Sequence, residues 1–135
     1  MIQKDFLERM IEQMSELMAK LAGLPLPEKQ VIIDEAYTES LRLDKIEIEK
    51  IDNNALIDYL IAEKLNIFQI EWLGQLLLED GKLQEAQNLD PYMYWNKALT
   101  CLTYCEENSD TYNIETEAKI NKLSNWIKEY KNDVR

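Results

Sequence analysis

Asn66-Ile67-Phe68-Gln69-Ile70-Glu71-Trp72-Leu73-Gly74-Gln75-Leu76-Leu77-Leu78-Glu79-Asp80-Gly81 is the stretch that decides the fold class. Its apolar residues Ile67, Ile70, Leu73, Leu77 and Leu78 recur at three and four positions, the spacing of a helix face and not the alternation of a strand. Asn66 is a suitable N-cap, because its side-chain oxygen can accept a free amide of the first turn. Gly81 predicts the stop.

Working outward, the next helix opens at Lys82 with Leu83 and Ala86, and Pro91 kinks or ends it before a further helix from Pro91 to about Glu107. Residues 108–113 form a loop. A last helix from Ile114 to about Tyr130 buries Ala118, Ile120 or Leu123, Trp126 and Ile127, and the polar tail from Lys131 frays. Toward the N-terminus, Asn53 or Asn54 caps a helix holding Leu56, Ile57, Leu60 and Ile61. Asp44-Lys45-Ile46-Glu47 has the spacing of an N-cap with a carboxylate three residues later and predicts a short helical turn through Ile51. The alternation of Ile46 and Ile48 also fits a brief strand, but a lone strand would have no partner in this chain.

The helix before it starts at Pro27 or Glu28, ends near Leu43 and turns Val31, Ile32, Ala36, Tyr37 and Leu41 inward. The first helix runs from Ile2 to Ala22 and stops at Gly23, with Pro25 and Pro27 beyond it. Ile2, Phe6, Leu7, Met10, Ile11, Met14, Leu17, Met18 and Leu21 cover a wide face of it. The expectation is one all-α domain over 1–135, built as a right-handed superhelix of antiparallel helix pairs or a bundle of six to seven helices. Residues 1–24 form its N-terminal amphipathic helix and 114–130 its C-terminal one.

Composition narrows the role. The 135 residues, 46% hydrophobic, are enough for one core, and the net charge of −11 repels phosphate backbones and anionic lipid. Nucleic acid and membrane are therefore not expected as partners. Lys4, Asp5, Glu8, Arg9 and Glu12 interrupt the apolar residues of the N-terminus, unlike a secretory signal, and no run reaches the ~18 apolar residues of a membrane span. Cys101 and Cys105, the two cysteines, do not make a secreted disulfide framework, so a cytoplasmic setting is expected. The chain has no histidine and so lacks the commonest general base and transition-metal ligand.

The segment from Trp72 to Ala86 resembles the first helix, turn and second-helix start of a tetratricopeptide repeat. Leu73-Gly74 matches the pair that lets two helices approach, Gly81 falls at the inter-helix turn, and Ala86 matches the small residue at the crossing. Lys97-Ala98-Leu99 is similar to the end of the second helix, with an insertion around Pro91, so that 66–107 reads as one repeat-like pair. Phe6 to Gln13 followed by Leu21-Ala22-Gly23-Leu24 also resembles the start of small uncharacterised bacterial proteins with a tetratricopeptide-like core. The resemblance implies a peptide-binding face and a capping helix at an end of the array.

Met10, Met14 and Met18 step by four along the first helix, and either fill core or form an adaptable surface for a partner protein or a second copy of the chain. Pro91-Tyr92-Met93-Tyr94-Trp95 is the densest aromatic cluster, serving as core or, through Tyr92, Tyr94 and Trp95, as an interface anchor. Cys101 and Cys105 lack the further soft ligands a thiolate metal site needs and read as small buried apolar residues. Glu79-Asp80 and Glu106 to Asp110 lack the spacing of a calcium loop and read as solvated helix ends. Neither a nucleophile elbow nor a phosphate-binding glycine loop is present. The sequence thus predicts a non-enzymatic protein-binding module with no metal and no cofactor. The alternatives are a homodimer joined through the methionine-lined helix and, behind it, a small-molecule or carboxylate-based catalytic domain.

Overall fold

The structure, a computed structural model, describes residues 2–109 and 114–134, with side chains over 8–109 and 114–131. The expected inward side chains of Ile2, Phe6 and Leu7 and the loop residues 110–113 lie outside that description. Seven α-helices occupy the described chain: α1 (Ile2–Ala22), α2 (Leu26–Leu41), α3 (Lys45–Lys50), α4 (Leu56–Ala62), α5 (Ile67–Ala86), α6 (Tyr92–Glu107) and α7 (Ile114–Val134). A single 3-10 turn, Asn53–Ala55, precedes α4, and no strand occurs among the described residues.

The helix starts follow local chemistry. Asn66 and Gln69 form a reciprocal capping box at α5, each side chain bonded to the other's backbone amide at 2.9 Å. Asp44 caps α3 by accepting from the Ile46 amide. The cap before α4 is Asp52, which accepts from the Asn54 amide, so the expected Asn53 or Asn54 caps are displaced by one or two residues. Pro25 and Pro27 bracket the first residue of α2, where a missing amide costs no helical bond.

The helix ends depart further from expectation. Positive φ falls on Arg42, Lys64 and Asn88 and on no glycine. After α4, the Leu65 amide bonds the Leu60 carbonyl and the Lys64 amide bonds that of Ile61; after α5, Leu89 and Asn88 repeat the pattern on Gln84 and Glu85. Both are Schellman closures with the left-handed residue at Lys64 and Asn88. The helix expected to stop at Gly81 therefore continues to Ala86, and α7 continues past Tyr130 to Val134.

Gly81 has a different task. It is buried inside α5, and a Cβ there would lie 2.3 Å from the Trp95 indole; a Cβ at Gly74 would lie 3.0 Å from Leu102. Seven residues put both glycines on one face, and their partners run in the opposite direction along α6, so α5 and α6 pack antiparallel at close range. Trp95 is then covered by Trp126 of α7 at 5.3 Å between ring centroids.

The middle of α5 is enclosed by other helices, and Trp72 to Leu78 are all buried. α2 packs on it through Ile33, Ala36, Tyr37 and Leu41. Ile33 is 1% exposed and Val31 54% exposed, which corrects the expected inward Val31. Ile61 and Ala118, also expected inside, are exposed; Leu123 and Ile127 hold α7 to the core.

Candidate functional site

Two polar arrangements and two clefts stand out. The first arrangement centres on Asp80, which is fully buried and is no solvated helix end. Its carboxylate accepts from the Tyr37 hydroxyl at 2.9 Å, Gln30 Nε2 at 3.0 Å and Gln84 Nε2 at 3.1 Å, and pairs with Lys45 Nζ at 2.9 Å. Lys45 also bonds Asp34 and lies over the rings of Tyr37 and Tyr94. Burial, then the Asp80 charge, holds the Tyr37 hydroxyl well above its ordinary pKa. Through these contacts the cluster fastens α2 and α3 to α5.

The second arrangement joins α6 to the segment around α3. Tyr94 donates to Glu49 Oε2 and Lys97 donates to the Ile51 carbonyl. Burial raises the Tyr94 hydroxyl and lowers the Lys97 ammonium from their usual values. Tyr94 is 7% and Trp95 2% exposed, so these two are core and do not form the exposed anchor considered from the sequence. Tyr92 and Met93 remain partly exposed at the helix start, with Lys131 over the Tyr92 ring.

The larger cleft, about 850 Å³, lies between α1 on one side and α5, the end of α6 and the start of α7 on the other. The sequence-predicted Met10, Met14 and Met18 form its α1 wall, with Met10 buried and the other two half-buried. Opposite them stand Ile67, Phe68, Glu71 and Gln75, which share one face of α5 at steps of one to four residues. Cys105 and Glu106 close one end, and Glu115, Thr116 and Lys119 complete the rim. Thr116 Oγ1 donates to Glu71 Oε1 at 3.0 Å and braces α7 against α5. The Cys105 thiol donates to the Ile67 carbonyl, and burial, with a smaller contribution from Glu71, pushes its pKa up to about 12. It is a protonated wall atom near neutral pH and no nucleophile.

Gln75 is the unexpected member. It is 5% exposed, and its Nε2 is buried without a hydrogen-bond partner among the described residues. An amide in that position costs the fold about 1–3 kcal/mol. The signal was present in the sequence as the one strongly polar side chain between Trp72 and Leu78.

The smaller cleft, about 350 Å³, separates α1 from α2 and is rimmed by Glu16, Lys20, Glu35 and Glu39 over Trp72. Among the described residues no group of three or more histidine, cysteine or carboxylate side chains is arranged to hold a metal, and no helix is long and apolar enough to cross a membrane. The chain matches no protein-family model, no curated protein and no solved structure.

Proposed function

We propose that the chain is a non-enzymatic binding module that receives an apolar segment of another protein in the cleft between α1 and α5. The observation that carries this is the wall of Met10, Met14 and Met18 turned toward Ile67 and Phe68 across a space of ligand size. Methionines adapt to varied apolar surfaces, and the cleft's volume falls in the range of about 300–1,000 Å³ that binding sites occupy, with a polar rim around the methionine wall. Binding is favoured over catalysis because the chain has no histidine and the cleft's thiol is held protonated.

The reading includes a tetratricopeptide-like helix-pair architecture, with α5 and α6 as the repeat-like pair and 87–91, not Gly81, as its turn. Their antiparallel approach through Gly74 and Gly81 supports it. A cytoplasmic setting belongs to the same proposal, supported by two unpaired cysteines one turn apart. Self-association through the methionine face is the weaker reading, because Met10 is 6% exposed within a single chain and the face is turned inward.

Selection of a displayed helical-peptide library on the full chain, beside Met14→Glu, tests the proposal. Peptides with apolar residues at i, i+4 and i+7 should be enriched on the wild-type chain and lost on the variant. Equal enrichment on both overturns the cleft as the docking site, and a stable dimer in sedimentation equilibrium favours the self-associating alternative.

A further inference from the structure

We infer that the segment seated in the cleft is a helix of about two turns whose lysines and arginines run along one edge only, the edge that faces α5, α6 and α7. The inference rests on the docking proposal and names the partner's chemistry.

The walls call for a helix. Met10 to Met18 on α1 and Ile67 to Gln75 on α5 each span eight residues, so both banks run for about 12 Å. A helix of that length and about 10 Å across occupies roughly 900 Å³, close to the cleft's volume of about 850 Å³. An extended segment fits worse for a chemical reason. No strand occurs among the described residues, so no sheet edge is there to take its amides and carbonyls, whereas a helix bonds its own.

The two banks differ in charge. From α1 the cleft takes Met10, Ile11, Met14, Ser15 and Met18, none of them ionisable. Every charged group among its described lining stands on the other bank, where Glu71, Glu106 and Glu115 outnumber Lys119. Accessible hydrocarbon is offered by the α1 bank, with Ile11 51% exposed and Met14 and Met18 half-buried. A helix lying between the banks therefore turns an apolar stripe and a neutral edge to α1 and a basic edge to the glutamates. In the reverse setting its cations would lie over methionine and away from the carboxylates. Glu71 and Glu106 are half-exposed, so the partner's cations meet them at the rim without losing their water, and such pairing sets orientation and encounter rate more than raw affinity. An acidic helix is repelled, and so is a second copy of this chain, each carrying −11.

A displayed helical library selected on the wild-type chain should return peptides with an apolar stripe at helical spacing, Lys or Arg along one edge of it, and neutral residues along the other. One such peptide is then titrated by fluorescence anisotropy against wild type, Glu106→Lys, Ser15→Lys and Glu63→Lys. Glu106 lies on the acidic bank apart from the Thr116–Glu71 brace, Ser15 lies on the α1 bank, and Glu63, exposed at the end of α4, lines neither cleft. Glu106→Lys should weaken the complex about fivefold or more and flatten its salt dependence, while Ser15→Lys and Glu63→Lys stay within about twofold of wild type. Glu106→Gln should give a smaller loss in the same direction. The substituted positions are half-exposed or exposed, so circular dichroism and Tm should match wild type and separate lost binding from lost folding. Equal weakening by Ser15→Lys overturns the one-sided edge, and equal weakening by Glu63→Lys overturns the rim contact in favour of net charge alone. An acidic or uncharged selected edge, or no loss in either Glu106 variant, overturns the basic partner. Each of these results leaves the docking cleft standing. Pools without an apolar stripe at helical spacing overturn the docking proposal itself.

Discussion

Gly81→Ala is the substitution that separates a close helix crossing from an inter-helix turn. In an exposed helix interior, alanine in place of glycine stabilises by about 1 kcal/mol. Here the new methyl group would sit 2.3 Å from Cδ1 and Nε1 of Trp95, about 1.2 Å inside normal carbon contact. The ring cannot step aside, since it is 2% exposed and is backed by Trp126. Overpacking of this severity belongs at the upper end of the 1–3 kcal/mol range, so the net loss should be about 2 kcal/mol, or roughly 8 °C in Tm for a chain of this size.

A loss alone does not discriminate, because a glycine in a positive-φ turn would also resist alanine. The double-mutant cycle with Trp95→Phe does. If α5 runs through Gly81 against Trp95, the smaller ring makes room and the double variant recovers at least about 1 kcal/mol over the sum of the singles. If Gly81 formed a turn, the two effects would add to within about 0.5 kcal/mol, and that additivity would refute the α5–α6 crossing. Urea unfolding followed by circular dichroism at 222 nm is the suitable assay, because tryptophan emission changes with the substitution. Gly23→Ala serves as the control: nothing lies within 4 Å of its Cβ position and its φ is not positive, so the change should be neutral or slightly stabilising.

Asp80→Ala should cost about 3 kcal/mol in urea unfolding, because it leaves the buried Tyr37 hydroxyl without its acceptor and takes from the half-buried Lys45 one of its two carboxylate partners, whereas Tyr37→Phe, which removes one hydrogen bond to the carboxylate, should cost about 1.5–3 kcal/mol. Lys64→Gly should raise stability by up to about 1 kcal/mol, since Lys64 holds φ 66° without a glycine's freedom; a lower Tm for the variant would contradict the Schellman assignment. The thiols of Cys101 and Cys105 should resist a disulfide reagent at pH 8 in the folded chain and react fully in urea. Both thiol pKa values are raised by burial, Cys105 to about 12, so their stabilising effect is complete below the ordinary thiol pKa of about 8.5 and is lost as pH climbs toward 12. Tyr37 and Tyr94 have the same sign and Lys97 the opposite one, so denaturation curves should show net alkaline weakening above about pH 9.

What the sequence disclosed and what it concealed divide along one physical line, the distance in chain between a group and its partner. The Asn66 cap, the Asp44 cap and the prolines at the start of α2 all act within four residues, and each was legible; the reciprocal Gln69 bond emerged with the structure. The methionine wall was legible for the same reason, being one face of one helix. Asp80 was not, because beside Glu79 it has the composition of a solvated helix end; Gln30, Tyr37 and Lys45, which make its burial affordable, come from two other helices. The second wall of the cleft was hidden likewise, since nothing local says that α1 faces Ile67 and Gln75.

Gly81 is the instructive case, because its residue type was read correctly and its use was not. A turn and a close crossing both require a missing Cβ, so the glycine fits a repeat turn as well as it fits the Trp95 ring, and only a residue fourteen positions away decides between them. The competing stop signal was Asn88, whose short polar side chain tolerates the left-handed conformation that ends α5 two residues after Ala86. Gln75 lies between these extremes. A polar residue in the run Trp72 to Leu78 announces that it needs a partner, and no described residue brings one to its Nε2, which only the assembled helices reveal.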